Sequence, residues 1–422
     1  MEIGIVGAGA SGLMAAVNAA YSGAKVRILE HSEFSGKKIL ATGNGKCNFT
    51  NLELSPQNYY MGQDSFVAKS LTLFSNIDSM EFFRKLGIEA FNKNGYVYPN
   101  SQQALSIQQA LLYEAKRLGV EIITECIISN IIINKIINKP SELKGRSKKY
   151  GFMAATNMGA FHFDKLIFAS GLKAAPFTGS DGSFNLLIKK LGYKIISPLP
   201  ALCPLICENK KFFKKSTGVR VRADLKLFID NKFIFSDIGE VQLTDYGISG
   251  IPVFQLSRFV SKALSHKQKA EISIDFLYFV QDKKEYLKNR IRLDALDELS
   301  VFGNGLINKK LWLALLSEAK LSPSLKVSDL DERDFKVMLN ILSNFKIRVV
   351  NTADFGKAQV CCGGVSLAQI EPESMESRLH KGLYFAGELV DVDGMCGGYN
   401  LQWAWTSGYI AGKAASGGFK HD

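Results

Sequence analysis

The stretch EIGIVGAGASGLMAA, residues 2–16, passes from a short apolar run into Gly7, Gly9 and Gly12 and then into a small-residue helical pattern. The run predicts a buried strand, the glycines a tight turn, and MAAVNAAYSG a helix closing near Gly23. The next strand, KVRILE, ends in Glu30. This register fits a dinucleotide site. Glycine lets a pyrophosphate approach the backbone, the helix amino terminus at Ala10, Ser11 and Gly12 offers free N–H groups, and the acid accepts hydrogen bonds from a ribose.

Working outward, GAFHFDKLIFASG (159–171) reads as a hairpin feeding a buried strand that ends in Ala169-Ser170-Gly171. GLYFAGE (382–388) repeats that pattern and ends in Gly387-Glu388. Two such strand ends, far apart in sequence, predict that the carboxyl end returns to the amino-terminal sheet and that the middle of the chain is an insertion. A second glycine motif and a redox C-x-x-C are both missing, which excludes a pyridine-nucleotide disulfide reductase. Because the candidate strand ends span the whole chain, a resident FAD fits better than NAD.

At 422 residues and 46% hydrophobic content, the chain is long enough for two or three lobes. The sequence has no signal-peptide pattern and no run of about 18 apolar residues, so neither secretion nor membrane spanning is expected. Seven cysteines, an odd number without metal-ligand spacing to the five histidines, suit reduced thiols in the cytoplasm. The net charge of +12 favours a polyanionic partner without naming one, since lysine-rich surfaces also serve solubility. We find no Ser-His-Asp arrangement, metal cluster or P-loop that would point to hydrolysis or phosphoryl transfer.

GKKILATGNGKCNFTN, residues 36–51, concentrates glycine, lysine and asparagine with few core-forming side chains. Bare glycine backbone forms an anion-binding nest, lysine neutralises phosphate, and asparagine serves either a donor or an acceptor edge. Near the other end, Gly397-Gly398-Tyr399-Asn400 precedes the helical pattern LQWAWTSGYIAGKAA, in which Trp403 and Trp405 read as core. From about residue 195 the pattern shifts to alternating strands (VRADLKLFI, KFIFSDIGEVQL) and then to helical stretches (DKKEYLKNRIRLDALDEL, KKLWLALLSEAK). Within this part, NKKFFKKSTGVRVR (209–222) interleaves Lys210, Lys211, Lys214, Lys215, Arg220 and Arg222 with Phe212 and Phe213. That mix fits phosphate contact with base stacking, and equally a lysine-faced strand pair over buried phenylalanines. KPSELKGRSKK (139–149) reads as a solvated hairpin tip.

These segments, with NGYVYPNS, LPALCPL, GEVQLTDYGISGIPVFQLS and AQVCCGGVSL, together resemble the BaiN/RdsA-type family of FAD-dependent oxidoreductases. The resemblance implies an α/β fold: a Rossmann-type FAD-binding domain, of the glutathione-reductase and fumarate-reductase kind, interrupted by a β-rich plus helical insertion. The implied parts are residues 1–195 and 357–422 for the FAD domain, 196–256 for a barrel-like insertion and 257–356 for its helical part. It also implies reduction of ring C=C bonds, in a uridine of 23S ribosomal RNA or in steroid acids, with NAD(P)H as transient reductant. FAD contacts are implied at Gly7, Gly9, Ala10, Ser11, Gly12, Glu30, Lys37, Lys38, Gly43, Gly45, Lys46, Asn48, Ile128, Ala169, Ser170, Gly171, Gly387, Glu388, Gly398, Asn400 and Leu401. The amino terminus of the last helix would then face the N1–C2=O edge of the flavin and stabilise its reduced anion. Many members have T-H-Y-G where this chain has Thr244-Asp245-Tyr246-Gly247, so no histidine role carries over.

A hydride delivered to the β-carbon of a conjugated C=C must be matched by a proton on its neighbour. Cys47, Cys396 and Tyr399 are the candidate donors. The leading expectation is a uridine of ribosomal RNA as substrate. A small conjugated enone comes next, and a flavin-bearing RNA-binding factor without turnover is a third reading.

Overall fold

The apolar run at the amino terminus is buried from Ile3 to Val6 because parallel strands on both sides and helices on the faces leave it no solvent. In the computed structural model, which describes residues 1–60, 64–133 and 151–418, five strands form one parallel sheet. Their order is Leu383–Phe385, Lys165–Phe168, Glu2–Val6, Lys25–Leu29 and Glu121–Ile123. The strand from GLYFAGE pairs in register with Lys165–Phe168, Leu166 opposite Leu383 and Phe168 opposite Phe385, so the carboxyl end does return to the first sheet. The KPSELKGRSKK stretch lies outside the described residues.

The chain divides into two compact units, Met1–Pro198 with Gln359–Asp422, and Leu199–Ala358. In the first unit, helix Ala10–Tyr21 packs against the last helix, Tyr399–Ala415. The small residues in that last helix have a steric reason. A Cβ at Gly408 would lie 2.5 Å from the Ser11 carbonyl oxygen, and one at Gly412 would lie 2.3 Å from that of Ala15. Trp403 and Trp405 are buried core, as read, and their indole N–H groups donate to the carbonyls of Gly387 (3.1 Å) and Phe49 (2.8 Å).

The second unit is built on a closed barrel of six strands. Its two long strands, Arg220–Ile229 and Lys232–Leu243, alternate inward and outward side chains as their sequence indicated. Two other barrel strands, Ala270–Asp275 and Phe345–Thr352, come from the stretch read as helical. Each is only 6 to 8 residues long and flanks stronger helical patterns, which dominated the reading. NKKFFKKSTGVRVR also differs from the strand expectation. Residues Lys210–Ser216 form a short helix capped by Asn209, whose side chain accepts from the Phe212 N–H at 3.1 Å. Phe212 and Phe213 are fully buried in the barrel's core, so neither ring is available to stack on a base. Lys210, Lys211, Lys214 and Lys215 all point to solvent. In the Thr244–Gly247 turn, the Thr244 hydroxyl accepts from the Gly247 N–H at 3.1 Å and Asp245 is exposed.

Candidate flavin site

The glycine turn is held by the next strand. Gly7 takes a positive φ of 98° and donates its N–H to the Leu29 carbonyl at 2.9 Å, and a Cβ there would meet the Ala169 oxygen at 2.6 Å. Glu30 is buried at the end of its strand, with one carboxylate oxygen accepting from the Ala8 N–H (2.7 Å) and the other from the Ser32 N–H (2.8 Å). The acid therefore shapes the turn from both carboxylate oxygens. Helix Ala10–Tyr21 starts at Gly9 with no side-chain cap, which leaves its first N–H groups for a ligand. Ser11 packs on Gly387, where a Cβ would lie 2.3 Å from its hydroxyl.

The 36–51 stretch holds a short helix, Lys37–Ala41, flanked by left-handed backbone. Gly36, Gly43, Asn44, Gly45 and Cys47 all have φ between 53° and 83°. Asparagine and cysteine adopt this region at a cost, which marks a conformation imposed by its surroundings. The surroundings are residues from the carboxyl end. Thr50 donates to Gln402 at 2.6 Å and Asn51 donates to the Gly397 carbonyl at 2.8 Å. A Cβ on Gly398 would strike the Thr50 carbonyl at 2.5 Å and Asn48 Oδ1 at 2.9 Å.

Lys38 Nζ meets Glu388 Oε2 at 2.5 Å, and the other Glu388 oxygen accepts the Cys361 N–H at 2.8 Å. Lys37 is exposed, and Lys46 reaches Gln102 Oε1 at 3.3 Å on the surface. Asn400 spends its side chain on its own loop, accepting from Gly394 N–H and donating to Gly394 O, both at 2.9 Å. Leu401 follows it, half-buried, in the first turn of the helix. Ile128 opens a separate three-stranded sheet, although Cys126 just before it donates to the Glu30 carbonyl at 2.8 Å.

Of the candidate proton donors, Cys47 is wholly buried by protein, and that burial pushes its thiol up to about 12 against a weaker opposing bond from Thr42. Cys396 is half-exposed. Tyr399 is buried, donates to the Glu53 carbonyl at 3.2 Å, and has its phenol raised by burial first and by Glu53 second. Two residues that the sequence reading left without a role also sit here. Tyr96 and Tyr98 alternate on one face of strand Tyr96–Pro99, both half-exposed. The Tyr96 ring would lie 2.8 Å from a Cβ on Gly397, and Tyr98 lies beside Gly43 and feels the charge of Cys396. Their i, i+2 spacing between turn residues was the available signal.

Cys47, and Cys207 in the barrel, titrate near 9 when unfolded and near 12 when folded. Each raised pKa contributes stability that is complete below pH 9 and lost as pH rises through about 12. Urea midpoints should fall as the pH is taken upward from about 9, and should fall less steeply in a Cys47→Ala, Cys207→Ala double variant. Parallel curves would show that other groups control the loss.

A parallel sheet with a glycine turn, an acid-ended second strand and a returning carboxyl-terminal segment defines a Rossmann-type FAD-binding fold. The chain belongs to the HI0933-like protein Rossmann domain family, whose model matches residues 1–414. It is 38% identical to the 3-dehydro-bile acid delta(4,6)-reductase of Clostridium scindens over 98% of this chain and 99% of that one. It is 28% identical to the ribosomal RNA dihydrouridine synthase of Haemophilus influenzae, over 98% of each. Its fold matches the 3-ketosteroid delta1-dehydrogenase of Sterolibacterium denitrificans with a TM-score of 0.51 at 10% identity, over 99% of each chain. Fold and family place the chain among the flavin-dependent oxidoreductases, and both relatives carry names of enzymes that reduce a C=C bond.

The residues fit FAD on observations independent of those likenesses. Asn48 Oδ1 and Ser170 Oγ are buried with no hydrogen-bond partner in the protein, which is costly unless a ligand supplies one. A Cβ on Gly9 would meet nothing within 4 Å, so the second glycine opens onto free space where the first and third are packed on backbone.

Proposed function

We propose that the protein reduces a uridine of ribosomal RNA to dihydrouridine, using FAD recharged by NAD(P)H, in the cytoplasm where that RNA resides. The observation that carries this choice of substrate is the exposed lysine face of helix Lys210–Ser216. Among the described residues no carboxylate pairs with Lys210, Lys211 or Lys214, and Lys215 reaches only the Ser317 hydroxyl, at 2.7 Å. Unpaired ammonium groups on one short face suit a phosphate backbone. The identity to rRNA dihydrouridine synthases along the whole chain supports the same substrate.

When bound, FAD supplies a hydride for the β-carbon of a C=C conjugated to a carbonyl, which in uracil is C6. The chain holds that cofactor through the free N–H groups at Ala10, Ser11 and Gly12, through Glu30 on the ribose, and through Asn48 and Ser170, whose buried oxygens otherwise lack partners. The Lys38–Glu388 pair ties the loop to the Gly387 turn and sets the charge beside it. Cys396 gives its thiol proton to C5 and is reprotonated from solvent. The electrons of the former C5=C6 π bond form the new C5–H bond. Cys47, sealed inside the protein, fixes the shape of the loop.

The test is to map dihydrouridine in 23S rRNA from cells with and without the gene. Loss of one modified position in the deletion, restored by the wild-type gene, is the expected result. An unchanged map, with turnover of a conjugated 3-oxo steroid by the purified enzyme, would instead establish the reading that the 38% identity to a bile acid reductase favours. Neutralising Lys210, Lys211, Lys214 and Lys215 together should leave the flavin spectrum intact. It should also lower the slope of log affinity against log salt by roughly 0.7 for each lysine that meets a phosphate of single-stranded RNA. An unchanged slope would remove this face from the RNA contact.

A further inference from the structure

With Phe212 and Phe213 buried, the lysine helix has no ring of its own for a base, but the same barrel presents rings elsewhere. A cleft of about 380 Å³ opens between the start of strand Arg220–Ile229, the segment after strand Ala270–Asp275, and the turn before helix Lys309–Ala319. That volume lies in the range of small-molecule sites, roughly 300–1,000 Å³. Its walls include Arg222, Tyr278, Phe279, Leu306, Ile307 and Asn308. The Phe279 ring is 58% exposed, with Tyr278 set edge-on to it at 5.6 Å and Tyr286 at 6.5 Å. The Arg222 guanidinium lies 6.0 Å from the centre of the Tyr278 ring.

An exposed phenylalanine beside a tyrosine and a guanidinium offers planar faces that bury little against the protein itself. Folding gains almost nothing from leaving such a ring in water, whereas a nucleobase has a π-face for each of these surfaces. The rim carries matching charge. Lys309 and Lys310 follow Asn308, and both are exposed. Lys310 donates to the Thr217 carbonyl at 2.6 Å, which links this rim to the carboxyl end of the lysine helix. Basic groups thus continue from the cleft to that helix.

We propose that this cleft is a docking pocket for one unpaired base of an RNA strand, stacked on the exposed Phe279 ring with Tyr278 and Arg222 beside it, while Lys309 and the lysine helix take the flanking phosphates. The proposal rests on the RNA reading above and adds a contact made by the barrel alone. Every group named belongs to the barrel unit, and the flavin residues play no part in it.

The experiment compares binding of a labelled oligouridylate with binding of an abasic strand of equal length and charge, using the flavin-loaded protein. Stacking of one base predicts about 5- to 150-fold tighter binding of the oligouridylate by the wild type. Phe279→Ala should reduce that preference and leave abasic-strand affinity unchanged, Arg222→Ala should reduce it while also weakening abasic-strand binding through its lost charge, and both should leave flavin content and melting temperature unchanged. Both side chains are exposed, so loss of folding is not expected to mask the result. No preference in the wild type, or an intact preference in both variants, overturns the pocket. If the deletion strain still loses its dihydrouridine, only the pocket falls. If the wild type binds neither strand and the rRNA map is unchanged, the RNA reading falls with it.

Discussion

Gly12→Val is expected to yield little folded protein, whereas Gly9→Val should fold normally and carry no flavin. The two glycines belong to one motif but face different neighbours. A Cβ on Gly12 would sit 1.9 Å from the Gly7 carbonyl oxygen, which is backbone and cannot move aside without opening the turn. Overpacking of that kind costs about 3 kcal/mol or more, from a total that is usually only about 5–15 kcal/mol. At Gly9 the added atoms enter free space, and φ is −79°, which any residue adopts. The valine methyl groups would fill the volume a pyrophosphate needs, with no effect on the empty fold. Melting curves and flavin absorbance of the two purified variants separate the effects. Full FAD occupancy in Gly9→Val would show that the diphosphate lies elsewhere.

Cys396→Ala is expected to slow transfer to substrate by about 10²-fold or more, the usual contribution of one acid–base group. Cys47→Ala should change that rate little. Both cysteines lie on glycine-rich loops that interlock, but Cys47 is covered by protein on all sides, and its thiol, pushed up to about 12, is a poor donor at neutral pH. Cys396 is half-exposed next to Tyr98, at the edge where the two loops meet. Stopped-flow reoxidation of the reduced flavin by substrate isolates this step from cofactor binding and from reduction of the flavin. Near wild-type reoxidation in Cys396→Ala would transfer the role to Tyr98 or to Tyr399. Of these, Tyr98 is the more open to solvent, and Tyr98→Phe would then be the decisive variant.

The sheet was legible because its information is local. An apolar run, a glycine turn and an acid sit within the first thirty residues, and each part follows from backbone geometry or from the period of the side chains. The return of the carboxyl end was also readable, because Gly387 and Gly171 end strands in the same way. The barrel was legible only in part. Its long hairpin strands alternate clearly, whereas Ala270–Asp275 and Phe345–Thr352 are short and sit beside helices with stronger patterns. The basic stretch at 209–222 was readable as charge but not as shape. Phe212 and Phe213 are adjacent, and only the contacts around a short helix decide that both face inward.

By itself the sequence determined the dinucleotide turn, the identity of the acid that closes it, the flavin class and the two ends of the chain that build the site. All of these depend on which residues can adopt a given backbone or offer a given donor, and that is a property of the residues themselves. Tertiary structure alone decided what each polar group does once placed. It paired Lys38 with Glu388 across 350 positions, turned Asn400 onto its own loop, and left Asn48 and Ser170 without partners. It also buried one candidate cysteine and left the other half-open. Burial and pairing depend on atoms brought together from distant parts of the chain, so composition and spacing cannot specify them. They are nevertheless what separates a proton donor from a packing residue, because the energy of a thiol or an ammonium group is set by its surroundings.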